Sequence, residues 1–359
     1  MEWIAETPEE LTPDWFTHIL HASGTLQPGT NVTSVSVHRI GTGQLSSVAR
    51  ALLEYDRVTD APASLVVKQP SPDASSRRVG VTMGVYRSEM RFYEEIAPTV
   101  GLPTPTLHWG ALEEETGRFT LVLDDLSPGA EAGDMLSYAT TEQVSLAIGE
   151  LVALQAPRWD DIRLRQLPWL GGLGSMRKLF DAVPLAIGRF EERFGERLEP
   201  RDMALIRTLA PRATEAFGVL WKRPFVIAHA DYRLDNMLFG RTPSVPALTV
   251  IDWQTACLAP PGLDVAVFLA SSVDIETRRA TERELLECYV DRLAQAGVRH
   301  FGYGEAWKSY RAASLSPLLL SVFTSVTLER TERGDAMWTQ LLRGAAQLVA
   351  DVEAARVLD

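Results

Sequence analysis

His229-Ala230-Asp231-Tyr232-Arg233-Leu234-Asp235-Asn236 lies between two apolar runs, Phe225-Val226-Ile227-Ala228 and Met237-Leu238-Phe239. A third run, Leu248-Thr249-Val250-Ile251, delivers Asp252 and Trp253. Short apolar runs of this kind read as buried strands. The polar residues at their ends then collect at sheet edges and face one cleft. Phosphoryl transfer to a hydroxyl needs such a set: one carboxylate to orient and deprotonate the acceptor, and an amide with a second carboxylate to hold Mg²⁺.

The pattern His-x-Asp-x4-Asn followed by Ile-Asp-Trp resembles the catalytic and metal loops of the aminoglycoside phosphotransferase and choline kinase superfamily. These are small-molecule kinases with a protein-kinase-like fold. The resemblance implies that Asp231 is the catalytic carboxylate and that Asn236 and Asp252 hold Mg²⁺. Arg233 stands where protein kinases carry a lysine that meets the γ-phosphate, which places it with Asp231 in the catalytic set. His229 is expected to support the loop by packing and hydrogen bonding, not to act as a base. Asp235 replaces the usual small residue before the Asn, as a loop cap or as a substrate contact. Asp264 precedes the apolar segment Val265-Ala266-Val267-Phe268-Leu269 and is read as a brace for the catalytic loop. Protein kinases place a long activation segment and an Ala-Pro-Glu motif after the metal Asp. Neither follows Asp252, so the expected acceptor is a small molecule.

Upstream, Val32 to Ile40 and Val48 to Tyr55 read as two strands joined by Gly41-Thr42-Gly43. Gly41 and Gly43 would let backbone N–H groups approach phosphate oxygens, and Ser46 and Ser47 would add hydroxyl donors. The turn lacks the Lys-Ser/Thr ending of a P-loop, and a strand follows it where a dinucleotide fingerprint requires a helix. As an isolated feature it is equally a plain hairpin. Leu65-Val66-Val67-Lys68 is a third strand, and Gly84 to Ala97 reads as a helix stopped by Pro98. Val85, Glu89, Phe92 and Ile96 share one face of that helix. A carboxylate inside an apolar stripe needs a partner. Lys68 is the candidate, since kinases pair a phosphate-binding lysine with a helical Glu. Tyr86-Arg87-Ser88-Glu89-Met90-Arg91-Phe92-Tyr93 resembles the corresponding helix of the ecdysteroid-kinase-like branch, toward which the whole pattern leans.

Leu121-Val122-Leu123-Asp124-Asp125-Leu126 resembles the segment that meets adenine in this superfamily. The Asp124 carbonyl and the Leu126 N–H would make the contacts, so ATP and GTP are not distinguished. Seen alone, the segment is equally an exposed acidic loop.

The 359 residues fit two lobes, with 46% apolar and 23% charged residues giving ordinary globular composition. A formal charge of −12 argues against a nucleic-acid partner. Cys257 and Cys288 make no disulfide framework, and the stretch from Met1 to Glu6 lacks signal-peptide character, so a cytoplasmic location is expected. The longest apolar stretch, Ser316 to Val326, reads as a buried helix and not a membrane span.

Strand-like patterns fill the first third and helical ones the rest, among them Glu142 to Gln155, Ser175 to Phe194 and Arg201 to Leu220. The expectation is therefore an α+β, two-lobe, protein-kinase-like fold. Residues 1–126 would form a β-rich nucleotide-binding lobe, and residues 127–359 a helical lobe with the catalytic loops and acceptor site. The reading is an ATP- and Mg²⁺-dependent kinase of a small-molecule hydroxyl, an aminoglycoside or other antibiotic being one candidate acceptor. Two alternatives stand beside it: a metal-dependent hydrolase using His229, Asp231 and Asp252, and an inactive nucleotide-binding regulator.

Overall fold

Thr12 begins the first helix, its hydroxyl accepting the Trp15 N–H at 3.2 Å ahead of Pro13. The computed structural model describes residues 3–41, 45–170 and 173–359. Helix α1 (Pro13–Ala22) is followed by β1 (Val32–Ile40), β2 (Ser46–Tyr55) and β3 (Ser64–Pro70). Helices α2 (Ala74–Met83) and α3 (Val85–Arg91) then lead to β4 (Leu107–Glu113) and β5 (Arg118–Asp124). The five strands form one antiparallel sheet in the order β1-β2-β3-β5-β4.

Strand alternation assigns the two faces of this sheet different work. Leu65, Val67 and Val122 join Ala51 and Leu53 against Trp15, Phe16, Ile19 and Leu20 of α1. Lys68, opposite Leu121 in the ladder, therefore projects from the other face. Phe119, Leu121 and Leu123 on that face belong to the large core that also holds Phe92 and Ile96.

Helix α2 is absent from the sequence reading, because its Ser- and Arg-rich surface carries no apolar stripe. It rests on Asp73, whose side chain accepts the Ser76 N–H at 2.7 Å, and stops at Gly84, where φ is +71°. The helix expected from Gly84 to Ala97 consequently starts at Val85. It passes into a π turn over Phe92–Ile96 and ends in a 3₁₀ turn over Ala97–Thr99, which contains Pro98.

The remainder is mainly helical around two small sheets. In order come β6 (Ala130–Ala132), α4 (Thr141–Gln155), α5 (Leu173–Phe194), α6 (Pro200–Leu209) and α7 (Ala213–Leu220). Pro211, in a 3₁₀ turn, divides what the sequence presents as one helix into α6 and α7. Next are β7 (Val226–Ala228), β8 (Met237–Gly240), β9 (Leu248–Val250), β10 (Cys257–Ala259) and α8 (Gly262–Ser271). The chain closes with α9 (Ile275–Gln295), α10 (Tyr303–Ala313), α11 (Leu315–Thr327) and α12 (Glu332–Asp351). β7 pairs with β10, and β8 lies between β6 and β9.

Every residue of α8 is buried. Gly344 of α12 lets that helix approach it: a Cβ there would lie 1.9 Å from the Ala270 carbonyl oxygen. The apolar Ser316 to Val326 stretch falls within α11 and is largely buried, and no described helix is long and apolar enough to cross a membrane.

Candidate active site

The buried strand β7 hands the chain to His229, and Asp264 in the first turn of α8 receives it. One Asp264 oxygen accepts the His229 N–H and the other the Ala230 N–H, both at 2.8 Å. Ala230 holds φ +62°, so two carboxylate bonds fix a turn that a non-glycine residue rarely adopts. Burial pushes the Asp264 carboxyl above its ordinary range, against the pull of His229 and the two N–H groups. Replacing Asp264 with Ala is expected to cost about 3 kcal/mol, because two buried donors lose their acceptor. Denaturant unfolding measures this, and an unchanged midpoint would show that the brace carries no load.

His229 is fully buried with both ring nitrogens engaged. Nδ1 accepts the Asp231 N–H at 3.2 Å, which places the ring proton on Nε2, 2.9 Å from the Ile251 carbonyl. These bonds match the supporting role expected of His229, and they already occupy both ring nitrogens, one of which the hydrolase alternative needs as a ligand.

Asp231 lies where the loop opens to the cleft, its side chain about one-third exposed. One oxygen accepts from Arg233 Nε at 2.8 Å and the other from Asn236 Nδ2 at 2.9 Å. Asn236 also donates to the Asp231 carbonyl at 2.8 Å, so the amide is oriented by the residue it neighbours in space. Burial opposes the Arg233 charge, but Asp231 and Asp235 raise its pKa further above the ordinary value. Asp235 accepts the Met135 N–H at 3.1 Å and an Arg333 N–H at 3.0 Å. These bonds fit the loop-cap reading of Asp235. Their partners, near β6 and in α12, leave no mark in the local sequence.

Lys68 gathers the other half of the cleft. Its Nζ lies 2.7 Å from the Glu89 carboxylate and 2.7 Å from Asp252 Oδ1. Lys68 and Glu89 are buried, and the sequence reading anticipates their pair but not the second carboxylate. Burial alone would lower the Lys68 pKa, yet Asp252 and Glu89 together raise it, so the ammonium stays charged. Burial lifts Glu89, with Lys68 opposing, whereas Lys68 brings Asp252 below its ordinary value despite burial. The Trp253 ring stacks on Phe92 at 3.7 Å and 4°, tying the segment after Asp252 to the end of the Glu89 helix. Two other carboxylates on the same segment are used elsewhere: Glu94 lies 3.2 Å from Arg91, and Glu95 accepts from the Trp169 indole at 2.9 Å.

Gly41 has φ +70°, a turn conformation, whereas Gly43 lies outside the described residues. Ser46 and Ser47 belong to β2, opposite Pro70 and Gln69. The Tyr86 hydroxyl of α3 donates to the Leu45 carbonyl at 2.5 Å and so links the turn to the Glu89 helix. In the linker, Asp124 accepts from the Thr106 N–H at 3.1 Å and pairs with His108 at 2.7 Å, while Asp125 pairs with Arg50 at 2.7 Å. Both acidic side chains are committed to local bonds. Any adenine contact there falls to backbone groups of Asp124 and Leu126.

The cleft therefore assembles a paired lysine, two carboxylate-bearing loops and an oriented amide. The model of the phosphotransferase enzyme family matches residues 45–312. The chain belongs to that family. Among solved structures, the phosphotransferase is similar to the microcompartment-associated aminopropanol kinase, with TM-score 0.54 and 12% identity over 96% of this chain and 99% of that one. It is also similar to a Ralstonia eutropha JMP134 protein assigned as an aminoglycoside phosphotransferase, with TM-score 0.52 and 14% identity over 95% and 98% of the two chains. At these identities the likeness shows the fold, which is kinase-like. No curated protein matches the phosphotransferase in sequence.

Proposed function

We propose that this phosphotransferase transfers the γ-phosphoryl group of a Mg²⁺-bound nucleoside triphosphate, ATP in the first instance, to a hydroxyl group of a small molecule. The carrying observation is the network in which Lys68 bonds Glu89 and Asp252 at 2.7 Å, with Asp231 and Asn236 joined at 2.9 Å on the neighbouring loop. On this reading residues 1–126 supply the nucleotide side and residues 127–359 the catalytic loops and acceptor side.

The residues fit Mg²⁺. Asp252 and Asn236 offer hard oxygen donors, and Mg²⁺ takes few protein ligands together with phosphate oxygens and water. When bound, the ion neutralises charge on the phosphates. Lys68, always protonated here, exchanges its Asp252 bond for phosphate oxygens and keeps Glu89 as its anchor. Asp231 accepts a hydrogen bond from the acceptor hydroxyl and takes its proton as the new O–P bond forms and the bond from the γ-phosphorus to the bridging oxygen breaks, with the nucleoside diphosphate as leaving group. Arg233, beside Asp231, is positioned to balance negative charge at the transferring group. Backbone groups of Asp124 and Leu126 receive the base, which leaves room for GTP as well as ATP.

Phosphorus NMR of an alcohol panel incubated with Mg·ATP detects the product directly, and a bound but untransferred nucleotide would mark a regulator instead. Within the same reading, Asp252→Ala is expected to weaken Mg·ATP binding about tenfold, ~1.4 kcal/mol, while metal-free ATP binds as before or better. Asn236→Ala acts in the same direction and less severely, because the amide is neutral. Equal losses for the two nucleotide forms would remove both residues from metal binding.

A further inference from the structure

An open pocket of about 510 Å³ lies between the end of α5, the segment around Leu136 and Tyr138, and α12. Ala336, Gln340 and Arg343 line it from one face of α12, at the spacing that stacks side chains along a helix. One wall of the pocket connects to the catalytic loop through a chain neighbour. Leu136, in its wall, follows Met135, whose N–H binds Asp235 and whose sulfur lies 3.3 Å from Arg233 Nη1. Arg233 in turn holds Asp231 at 2.8 Å.

Charge in this pocket runs against that of the whole molecule, which is −12. Arg197 and Arg343 line it, with Glu196 as the one carboxylate among the lining residues. Arg343 donates to the Arg197 carbonyl at 3.0 Å; it acts on the Asp202 carboxylate from a distance, but no ion-pair contact to a carboxylate within 4.0 Å is seen for it among the described residues. Arg197 reaches Asp335 at 3.2 Å, but Arg193 at 2.7 Å and Arg330 at 3.0 Å share that same buried carboxylate. One anion therefore answers three guanidinium groups. Burial alone would raise the Asp335 carboxyl, yet Arg193 and Arg330 hold it below its ordinary value. Arg333, the next cation along α12, is taken by Asp134 and Asp235 at 2.8 and 3.0 Å.

We propose that this pocket is the acceptor subsite and that it binds an anionic group of the acceptor, a carboxylate or a phosphate, through Arg343 and Arg197. The inference rests on the kinase reading above and names its substrate class: a hydroxyl-bearing anion, not a polyamine such as an aminoglycoside. A guanidinium presents a planar fork of donors that matches either oxyanion. Glu196 leaves room for a single amine, so a zwitterion fits as well. A polycation would meet two guanidinium groups with one carboxylate to compensate.

Calorimetry on the full chain saturated with Mg·ADP tests this, with glycerate, glycerol 3-phosphate, glycerol and kanamycin as probes. At least one of the two anions is expected to bind more tightly than glycerol and kanamycin, and their order identifies carboxylate or phosphate as the preferred group. Arg343→Glu should weaken the preferred anion by at least about tenfold, with Arg343→Lys retaining part of the affinity. Mg·ADP should bind both variants as it binds the parent, which also shows that they fold. Kanamycin or glycerol binding as tightly as the anions, neither anion binding, or indifference to Arg343→Glu would each overturn the proposal. Failure of the parent chain to bind Mg·ADP would strike the kinase reading instead, and the anion titrations would still read out on the nucleotide-free protein.

Discussion

Asp231→Asn lowers turnover by about 10³-fold while the affinity for nucleotide stays within a few-fold. The magnitude follows from the ~10²–10⁴ that a positioned general base contributes. The amide oxygen can still accept from Arg233, at 2.8 Å in the parent, so the loop keeps that contact. What is lost is the capacity to take a proton, and a second change accompanies it. The new NH₂ faces Asn236 Nδ2, which now donates to Asp231 at 2.9 Å, so two donors are set against each other. Asp231→Ala separates the two effects, since it removes the base without creating the donor clash. Turnover and nucleotide affinity measured on both variants decide the matter. Parent-like turnover in either variant with a confirmed acceptor would end the assignment of Asp231 as the base. Comparable losses in turnover, with nucleotide affinity kept, would assign the effect to the carboxylate itself.

The second large effect is at Lys68, and the structure makes it asymmetric. Lys68→Ala leaves Glu89 and Asp252 facing each other without the cation that each now holds at 2.7 Å. Breaking a buried pair in this way costs about 3–5 kcal/mol, partly relieved if Glu89 takes up a proton. Glu89→Ala should cost less stability, because Lys68 keeps Asp252 as its partner. Phosphoryl transfer falls strongly in both. Without Glu89 the ammonium is anchored only to the carboxylate that Mg²⁺ needs, so lysine and metal compete for Asp252. The double variant should be little slower than Lys68→Ala alone, since one loss already disables the unit. A double-mutant cycle on the transfer rate checks the coupling, and denaturant unfolding checks the asymmetry. Strictly additive rate losses would mean that Glu89 does not position Lys68 for catalysis.

The sequence by itself determined the elements that depend on near neighbours. Thr12-Pro13 marks the start of α1, the alternation of Val35 and Val37 marks β1, the apolar run Leu65-Val66-Val67 marks β3, and the strand ends before His229 and Asp252 mark the two loops. Glu89 was legible as a buried carboxylate because Val85, Phe92 and Ile96 lie on its face of the helix. Elements without such a signal escaped: α2 has no apolar stripe, and the π turn at Phe92–Ile96 keeps the composition of an ordinary helix. The family pattern supplied Asp231, Asn236 and Asp252 as types and spacings, and Asp264 as a brace. Only the tertiary structure decided what each of them touches. Lys68 meets Asp252 across 184 positions, Asp235 meets Arg333 across 98, and Asp335 collects arginines from α5, the segment after it and the turn before α12. The chain has 47 acidic and 35 basic residues, so residue type alone offers each charge dozens of partners. Periodicity and turn chemistry act over a few residues, and they fix elements. Choosing one carboxylate among dozens requires the packing of whole elements against each other, because desolvation makes a charge pair selective only where burial has already excluded water.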